Sequence, residues 1–527
     1  MDRSRRIAGR YDHGGGAPHM KVLTAAEMRE VDRLTIEAGI PGIVLMENAG
    51  HRVLELLTER FAPLAEQRIV VLCGKGNNGG DGLVIARQLR TAVCPRELYV
   101  VLLAAPEELK GDAAANYRML LACGGAVHRQ IPAEARCASL VIDALLGTGV
   151  TGPATGLVLE GIRAINHDFP LAQVIAVDIP SGMPSDPGSS AGEIARADVT
   201  VTFTAAKVAQ VIPPYCDQTG ELLVRAIGSP ASLYEDVRLS LLEPAMFREL
   251  LAPRAPSGHK GTYGHALVVA GSRGKSGAAA MSGMAALRAG AGLVTVASAA
   301  SAIAEIAMHA PELMTEPLRE TESGVIALNA DLKVAAEGKT VIAVGPGLGR
   351  APHIAALVQS MTETFAQPMV LDADALLAPP AGGPARTRVL TPHPGEMARL
   401  TGKTSAEVQG DRVGIARAYA MEHACTLVLK GQRTVIAFPD GRVWINPTGT
   451  PAMGTGGTGD ILTGLTAGLL AQFPDRPDQA VGAAVYLHGR AGEIGAEALG
   501  EKCLVATDIL QYLPDAMEES AHVPDGF

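Results

Sequence analysis

Aromatic residues make up only 3% of the 527-residue chain, with a single tryptophan among them. A core short of large rings argues against an aromatic-rich β-sandwich and for close-packed α/β layers. Charged residues are also sparse, at 19%, and the formal net charge is −10. No basic excess is available to bind nucleic acid. The seven cysteines, at positions 73, 94, 123, 137, 216, 425 and 503, form no C-x-x-C pair. Neither a zinc site nor a disulfide framework is implied, and a reducing, cytoplasmic compartment is expected. No uncharged apolar run reaches about 18 residues, so no membrane-spanning helix and no membrane partner are expected. Residues 1–19 lack the apolar stretch of a secretory signal. They are expected to be a disordered extension, with ordered text beginning at Met20.

What is abundant is hydrophobic residues, at 47%, together with 60 glycines and 34 prolines. The length predicts two to four domains. From 68 to 227 short apolar runs alternate with helical stretches: 68–73, 97–104, 139–147, 173–182, 198–205 and 221–227. Most are apolar throughout, as strands of a parallel sheet covered on both faces should be. Two helical segments, from Thr24 and from Gly42, precede them. A stretch with prolines and no strand period, 228–258, reads as a linker. A second alternating series follows, with strands expected at 265–271, 292–298, 340–347, 368–376, 387–396, 426–431, 434–440 and 442–448. The last long helix is expected over 459–472. Neither half repeats the other.

The loop "CGKGNNGGDG" (73–82) carries Gly74, Gly76 and Gly79 at the G-x-G-x-x-G spacing of a dinucleotide-binding turn. Asp81 argues against that use, because a carboxylate at a helix start competes with a phosphate for the same amides. Two further strand ends are polar: Asp143 in "VIDALLGTGVTGP", and Asp178 with Ser181 in "AVDIPSG". Ligands of open α/β sheets bind beyond the carboxyl ends of the strands. Asn78, Asp143 and Ser181 can converge there as oxygen donors suited to a hard cation. Taken one at a time, each is better explained as a cap or turn residue; together, at three strand ends, they point to a site.

The motifs "GKGNNGGDG", "VIDALLGTG" and "AVDIPSG", in that order, resemble those of the NAD(P)H-hydrate epimerase family, over about 24–227. The resemblance implies a Rossmann-like three-layer domain, spanning 20–235, that interconverts the R and S epimers of hydrated NADH and NADPH (NADHX and NADPHX). It implies a substrate site lined by Asn77, Asn78, Gly79, Gly80 and Asp81. The same site would take in the loop Gly147, Thr148, Gly149, Val150, Thr151, Gly152 and Pro153, with Asp178. It implies a potassium ion on Asn78, Asp143 and Ser181, with Asp143 also the candidate for proton transfer. Some relatives carry a lysine in the loop after this aspartate. "GTGVTGP" has none, which leaves the second proton-handling group open.

In the second half "GSRGKSG" (271–277) fails as a P-loop, since the first glycine of G-x-x-x-x-G-K-[ST] would fall on Val269. "GTPAMGTGGTGDILTGLTAG" (449–468) is stronger. Gly456, Gly457 and Gly459 lead into a helix whose first turn holds Asp460. Amides of such a turn nest an anion, and a base beside a bound polyphosphate can activate a hydroxyl toward phosphorus.

This motif resembles those of the ribokinase-like fold. With "HKGTYGHALVVAGS", "GPGLG", "LTPHPGE" and "VLKGQRTVI" it is similar to ADP-dependent NAD(P)H-hydrate dehydratase, over about 259–515. The resemblance implies a ribokinase-like α/β domain over 236–527 that dehydrates the S epimer at the expense of ADP. Ala278, Gly347, His393 and Asp460 would contact the hydrate. Lys430, Gly431, Gln432, Arg433, Thr434 and Gly459 would contact the nucleotide, with Asp460 as base. Magnesium is expected to bridge the phosphates, with Glu396 as a water-mediated contact, and a homo-oligomer is expected. Two other readings stay open: a small-alcohol (vitamin-precursor) kinase, and a first half that only binds.

Overall fold

The computed structural model describes residues 19–149, 152–187, 192–377 and 383–522. The expected extension therefore lies, but for His19, outside the described residues. The chain forms two compact units that part between Val237 and Arg238. The bonds on either side of that peptide explain the position, two residues beyond the expected 235. The Val237 carbonyl accepts from Lys21 Nζ at 2.8 Å, within the first unit. Arg238 Nη1 donates to the Asp440 carbonyl at 2.6 Å, within the second.

The first unit is built on seven parallel strands. In spatial order they are Val127–His128, Glu97–Leu102, Arg68–Cys73, Leu140–Ala144, Gln173–Val177, Val199–Phe203 and Glu221–Arg225. The chain enters at Arg68–Cys73 and works outward to one edge. It then returns to Leu140–Ala144, on the other side of the entry strand. Arg68–Cys73 and Leu140–Ala144 thus flank the point where the strand order reverses, and a ligand is expected beyond their carboxyl ends. Five residues of Arg68–Cys73 and all five of Leu140–Ala144 are buried. That is why these strands read as continuous apolar runs rather than alternating ones.

The second unit has a ten-stranded sheet. Its order is Leu239–Leu241, Val443–Ile445, Val435–Ala437, Thr426–Leu429, Arg388–Leu390, Met369–Leu371, Val341–Val344, His265–Val269, Leu293–Ala299 and Met314–Leu318. Only Val435–Ala437 runs antiparallel to its neighbours. The order reverses between His265–Val269 and Val341–Val344. Two edge strands were not expected. Leu239–Leu241 lies inside the stretch read as linker, and Met314–Leu318 has only its last residue buried. The helix Thr458–Gln472 is present, but it is not the last long one. Pro477–Leu499 and Ala506–Ala521 follow it.

Small residues do the packing that aromatics do elsewhere. A Cβ on Gly464 would lie 2.1 Å from the Ser282 carbonyl oxygen, and one on Gly468 would lie 2.5 Å from that of Ala286. Helix Thr458–Gln472 therefore touches the backbone of helix Ser276–Arg288, and every residue from Ile461 to Ala471 is buried. That close approach fixes where the helix start, and Asp460 with it, meets the sheet.

Candidate active sites

At the first reversal point, the Gly74 amide donates to the Ala144 carbonyl at 3.1 Å, tying the two strand ends together. A Cβ on Gly74 would sit 1.9 Å from the Leu145 carbonyl oxygen, and one on Gly79 would sit 1.9 Å from that of Gly74. Gly76 faces open space. Two of the three fingerprint glycines are therefore required by backbone contacts within the protein, not by the approach of a pyrophosphate. Gly79→Ala is expected to cost the first unit about 3 kcal/mol. A lower denaturation midpoint for that unit checks it.

The three expected oxygen donors do come together. Asp143, fully buried, accepts from Ser181 Oγ at 2.5 Å on Oδ1 and from the Ser181 amide at 2.8 Å on Oδ2. Ser181 Oγ accepts in turn from the Leu146 amide at 2.9 Å, and Asn78 Nδ2 donates to the Leu146 carbonyl at 2.8 Å. Asn78 Oδ1 is buried with no hydrogen-bond partner among the described residues. An orphaned acceptor in a cluster of oxygens is what a hard cation would satisfy. Burial pushes the Asp143 carboxyl up to about 6, against the opposing hydrogen bonds from Ser181 and Leu145.

Gly147 packs on Asn78, where a Cβ would lie 3.1 Å from the Asn78 Cβ. The Thr148 carbonyl accepts from Ser185 Oγ at 3.2 Å. Gly149 has open space, and Pro153 packs near Gly192. Val150 and Thr151 lie outside the described residues. Asn77 and Gly80 fall in the first turn of helix Asn77–Gln88, with Asp81 close behind them.

Asp178 has φ of +62°, a left-handed conformation unusual for a residue with a side chain. Its Oδ1 accepts from Lys207 Nζ at 2.5 Å and from Thr202 Oγ1 at 3.0 Å. Lys207 is 1% exposed, and its ammonium also reaches Thr202 Oγ1 and the Phe203 carbonyl. Sequence reasoning missed this lysine. The available signal was its isolation: it is the only charged residue between Asp198 and Asp217.

In the second unit the candidate side chains sit beyond the carboxyl ends of four neighbouring strands. A Cβ on Gly347 would lie 3.1 Å from that of Ala278, so these two expected hydrate contacts are adjacent. Asp372, 1% exposed, follows strand Met369–Leu371. It accepts from Lys430 Nζ at 2.6 Å and Thr391 Oγ1 at 2.7 Å on Oδ1, and from Thr463 Oγ1 at 2.8 Å on Oδ2. It thereby ties two other strand ends to the helix that carries Asp460. A Cβ on Gly459 would lie 3.4 Å from Lys430 Nζ, which places the ammonium against that helix start. Burial first, then the charge of Asp372, pushes the Asp460 carboxyl up to about 7, with Lys430 opposing. Asp372 was read only as part of a strand.

His393 caps helix Pro394–Thr401, with Nδ1 accepting from the Gly395 and Glu396 amides. Its Nε2 points to Glu396 Oε1 at 3.5 Å, and Glu396 Oε2 lies 4.0 Å from Lys430 Nζ. Gly431, Gln432, Arg433 and Thr434 form the turn after strand Thr426–Leu429. There Thr434 Oγ1 donates to the Gly431 carbonyl, and Arg433 Nη1 donates to that of Pro447. None of the seven cysteines forms a disulfide. No described helix is long and apolar enough to cross a membrane.

Comparison with known proteins gives the family. Residues 266–515 match the family described as NAD(P)H-hydrate dehydratase, and residues 42–209 match the YjeF-related protein N-terminus. The chain is 44% identical over 515 residues to a Moorella thermoacetica protein named bifunctional NAD(P)H-hydrate repair enzyme Nnr, covering 94% of this chain and 96% of that one. An Escherichia coli protein of the same name is 34% identical over 502 residues, covering 94% and 93%. Among solved structures, the ADP/ATP-dependent NAD(P)H-hydrate dehydratase of Bacillus subtilis, co-crystallised with ATP and magnesium, is 36% identical. It covers 53% of this chain and 98% of that one, with a TM-score of 0.48. With both domain families present in order, and relatives matched over nearly their whole length, the chain belongs to the family of bifunctional NAD(P)H-hydrate repair enzymes.

Proposed function

We propose that the chain repairs hydrated NADH and NADPH in two steps: the first unit interconverts the R and S epimers, and the second dehydrates the S epimer using ADP. The observation that carries this reading is Asp460. It is a carboxyl raised toward neutrality at a glycine-lined helix start, with Lys430 against the same turn. Asp460 takes the proton of the C6 hydroxyl as that oxygen attacks the terminal phosphorus. Lys430 and the Gly456–Gly459 amides offset the charge that develops on the phosphoryl oxygens. The ring nitrogen's lone pair then expels phosphate, a far better leaving group than hydroxide. Loss of the C5 proton restores the reduced nicotinamide. Glu396, buried and oxygen-bearing beside Lys430, fits a water-mediated contact to a magnesium ion, which when bound with the nucleotide would neutralise its phosphates. Asn78, Asp143 and Ser181 fit potassium, which supplies a fixed positive charge in the first site.

The test is an R/S mixture of NADPHX incubated with magnesium and ADP. Complete return of NADPH supports both sites. Return of the S fraction alone removes the epimerase, and a stable phosphorylated alcohol without NADPH would favour the kinase reading. Replacing ADP by ATP settles the donor.

A pH effect follows from Asp372. Asp460 must be ionised to act as a base, so dehydration slows as pH falls below about 7. The Asp372 charge raises the Asp460 carboxyl, as does Asp374, while Lys430 lowers it. Asp372→Asn is therefore expected to move the acid limb of the kcat profile to lower pH. It also frees Lys430, raising the KM for ADP. Steady-state rates across the pH range check both.

A further inference from the structure

The resemblance gave proton transfer to Asp143 and left the second group open; both Asp143 oxygens are taken by Ser181 and the Leu145 amide, and the neighbouring strand and helix ends carry two other carboxyl groups, Asp81 and Asp178. Asp81 is 9% exposed, and its carboxyl has no hydrogen-bond partner among the described residues. Among the described residues, the charges of Asp178 and Asp32 act on it, and so does the cation of Lys207. Asp178 is the opposite case. Lys207, itself 1% exposed, is ion-paired with its Oδ1 at 2.5 Å. Its hydrogen bonds from Lys207, Thr202 and the Phe203 amide all fall on Oδ1, which leaves Oδ2 unengaged among the described residues. One buried carboxyl without a cation in hydrogen-bond reach, and one ion-paired to a buried ammonium, are the unlike surroundings that suit an acid and a base working together.

We propose that Asp81 and Asp178 are the acid and base of the epimerisation, with Lys207 as the positioning residue that holds the Asp178 carboxyl. The inference rests on the epimerase reading above. Asp178 takes the proton of the C6 hydroxyl, C6=O forms, and the C6–N1 bond breaks. N1 keeps the bonding electron pair and receives the proton of Asp81. Rotation about C5–C6 turns the other face of the aldehyde to N1. N1 re-adds to C6, its proton returns to Asp81, and the new hydroxyl takes back the proton held by Asp178. Every atom and proton is restored, and only the configuration at C6 has changed.

The competing route, loss of water from C6, would make a cation at that carbon. Departure of a C5 proton would then give the reduced nicotinamide directly, with no need for a nucleotide-driven unit on the same chain. The ring-opening route avoids that cation. Burial, with the facing charges of Asp178 and Asp32, holds the Asp81 carboxyl well above the usual carboxylate range, in keeping with its role as proton donor.

The test measures repair of purified R-NADPHX and S-NADPHX by the full-length chain carrying Asp81→Asn or the double change D178N/K207M. The double change removes the pair together and leaves no buried ammonium stranded. Each is expected to lower kcat for the R epimer by at least about 100-fold. KM should move by less than about threefold, and repair of the S epimer should be unchanged. An unchanged thermal unfolding profile for Asp81→Asn separates chemistry from folding. Retention of kcat within about threefold in either variant overturns the assignment, as does a rise in KM with kcat intact, which would make these groups binding residues only. If the unaltered chain fails to repair the R epimer, the epimerase reading itself falls, a result distinct from either of these.

Discussion

Asparagine in place of Asp460 is expected to lower kcat for dehydration of the S epimer by about 10²–10⁴-fold, the usual contribution of a positioned general base. The substitution keeps the shape of the side chain. It also leaves the bond from Ser282 Oγ to the Asp460 carbonyl, which belongs to the backbone. Because Asp372 and Asp374 both act against the ionised form of Asp460, removing its charge relieves repulsion, and stability should hold or rise slightly. Affinity for ADP should change little, since Lys430 and the helix-start amides remain. The check is single-turnover return of NADPH from purified S-NADPHX. A loss of tenfold or less would mean that another group takes the proton.

Asp143→Ala is expected to confine repair to the S fraction of a mixture. Return of NADPH should stop at that fraction, while the S epimer alone is repaired at the full rate. The change removes the acceptor for the Ser181 amide, Ser181 Oγ and the Leu145 amide. A buried donor left unsatisfied costs about 1–3 kcal/mol, so the unfolding midpoint of the first unit should fall as well. Asp143→Asn separates the two effects, because its carbonyl oxygen can still accept from the Ser181 amide. If the oxygen cluster serves a cation, the asparagine variant should fold and lose its response to potassium. Full repair of an R/S mixture by both variants would remove Asp143 from the site.

The buried parallel strands were plain in the sequence because strands covered on both faces are uninterrupted apolar runs. What escaped was structure at the margins. Val127–His128 and Leu239–Leu241 are too short to show a period. Met314–Leu318 carries Glu316 and Pro317, which an edge strand tolerates and an interior one does not. Helix Pro477–Leu499 is dense in alanine and glycine, so its buried face differs little in hydropathy from its neighbours. Within the sites, strand-end residues such as Asn78, Asp143 and Ser181 could be read because strand order dictates where ligands go. Lys207 and Asp372 could not. Each gains its meaning from a partner far along the chain, Asp178 at a separation of 29 residues and Lys430 at 58. No local pattern encodes such a meeting.

The short strand Leu239–Leu241 decides where the gene can be divided. A second half begun at residue 259, where its motifs start, would lack this strand and the fully buried Phe247 and Leu242 behind it. Val443–Ile445 would become a bare sheet edge, open to pairing with another copy. A half begun at Arg238 carries its own border with it, and the first half then ends at Val237, still held by Lys21.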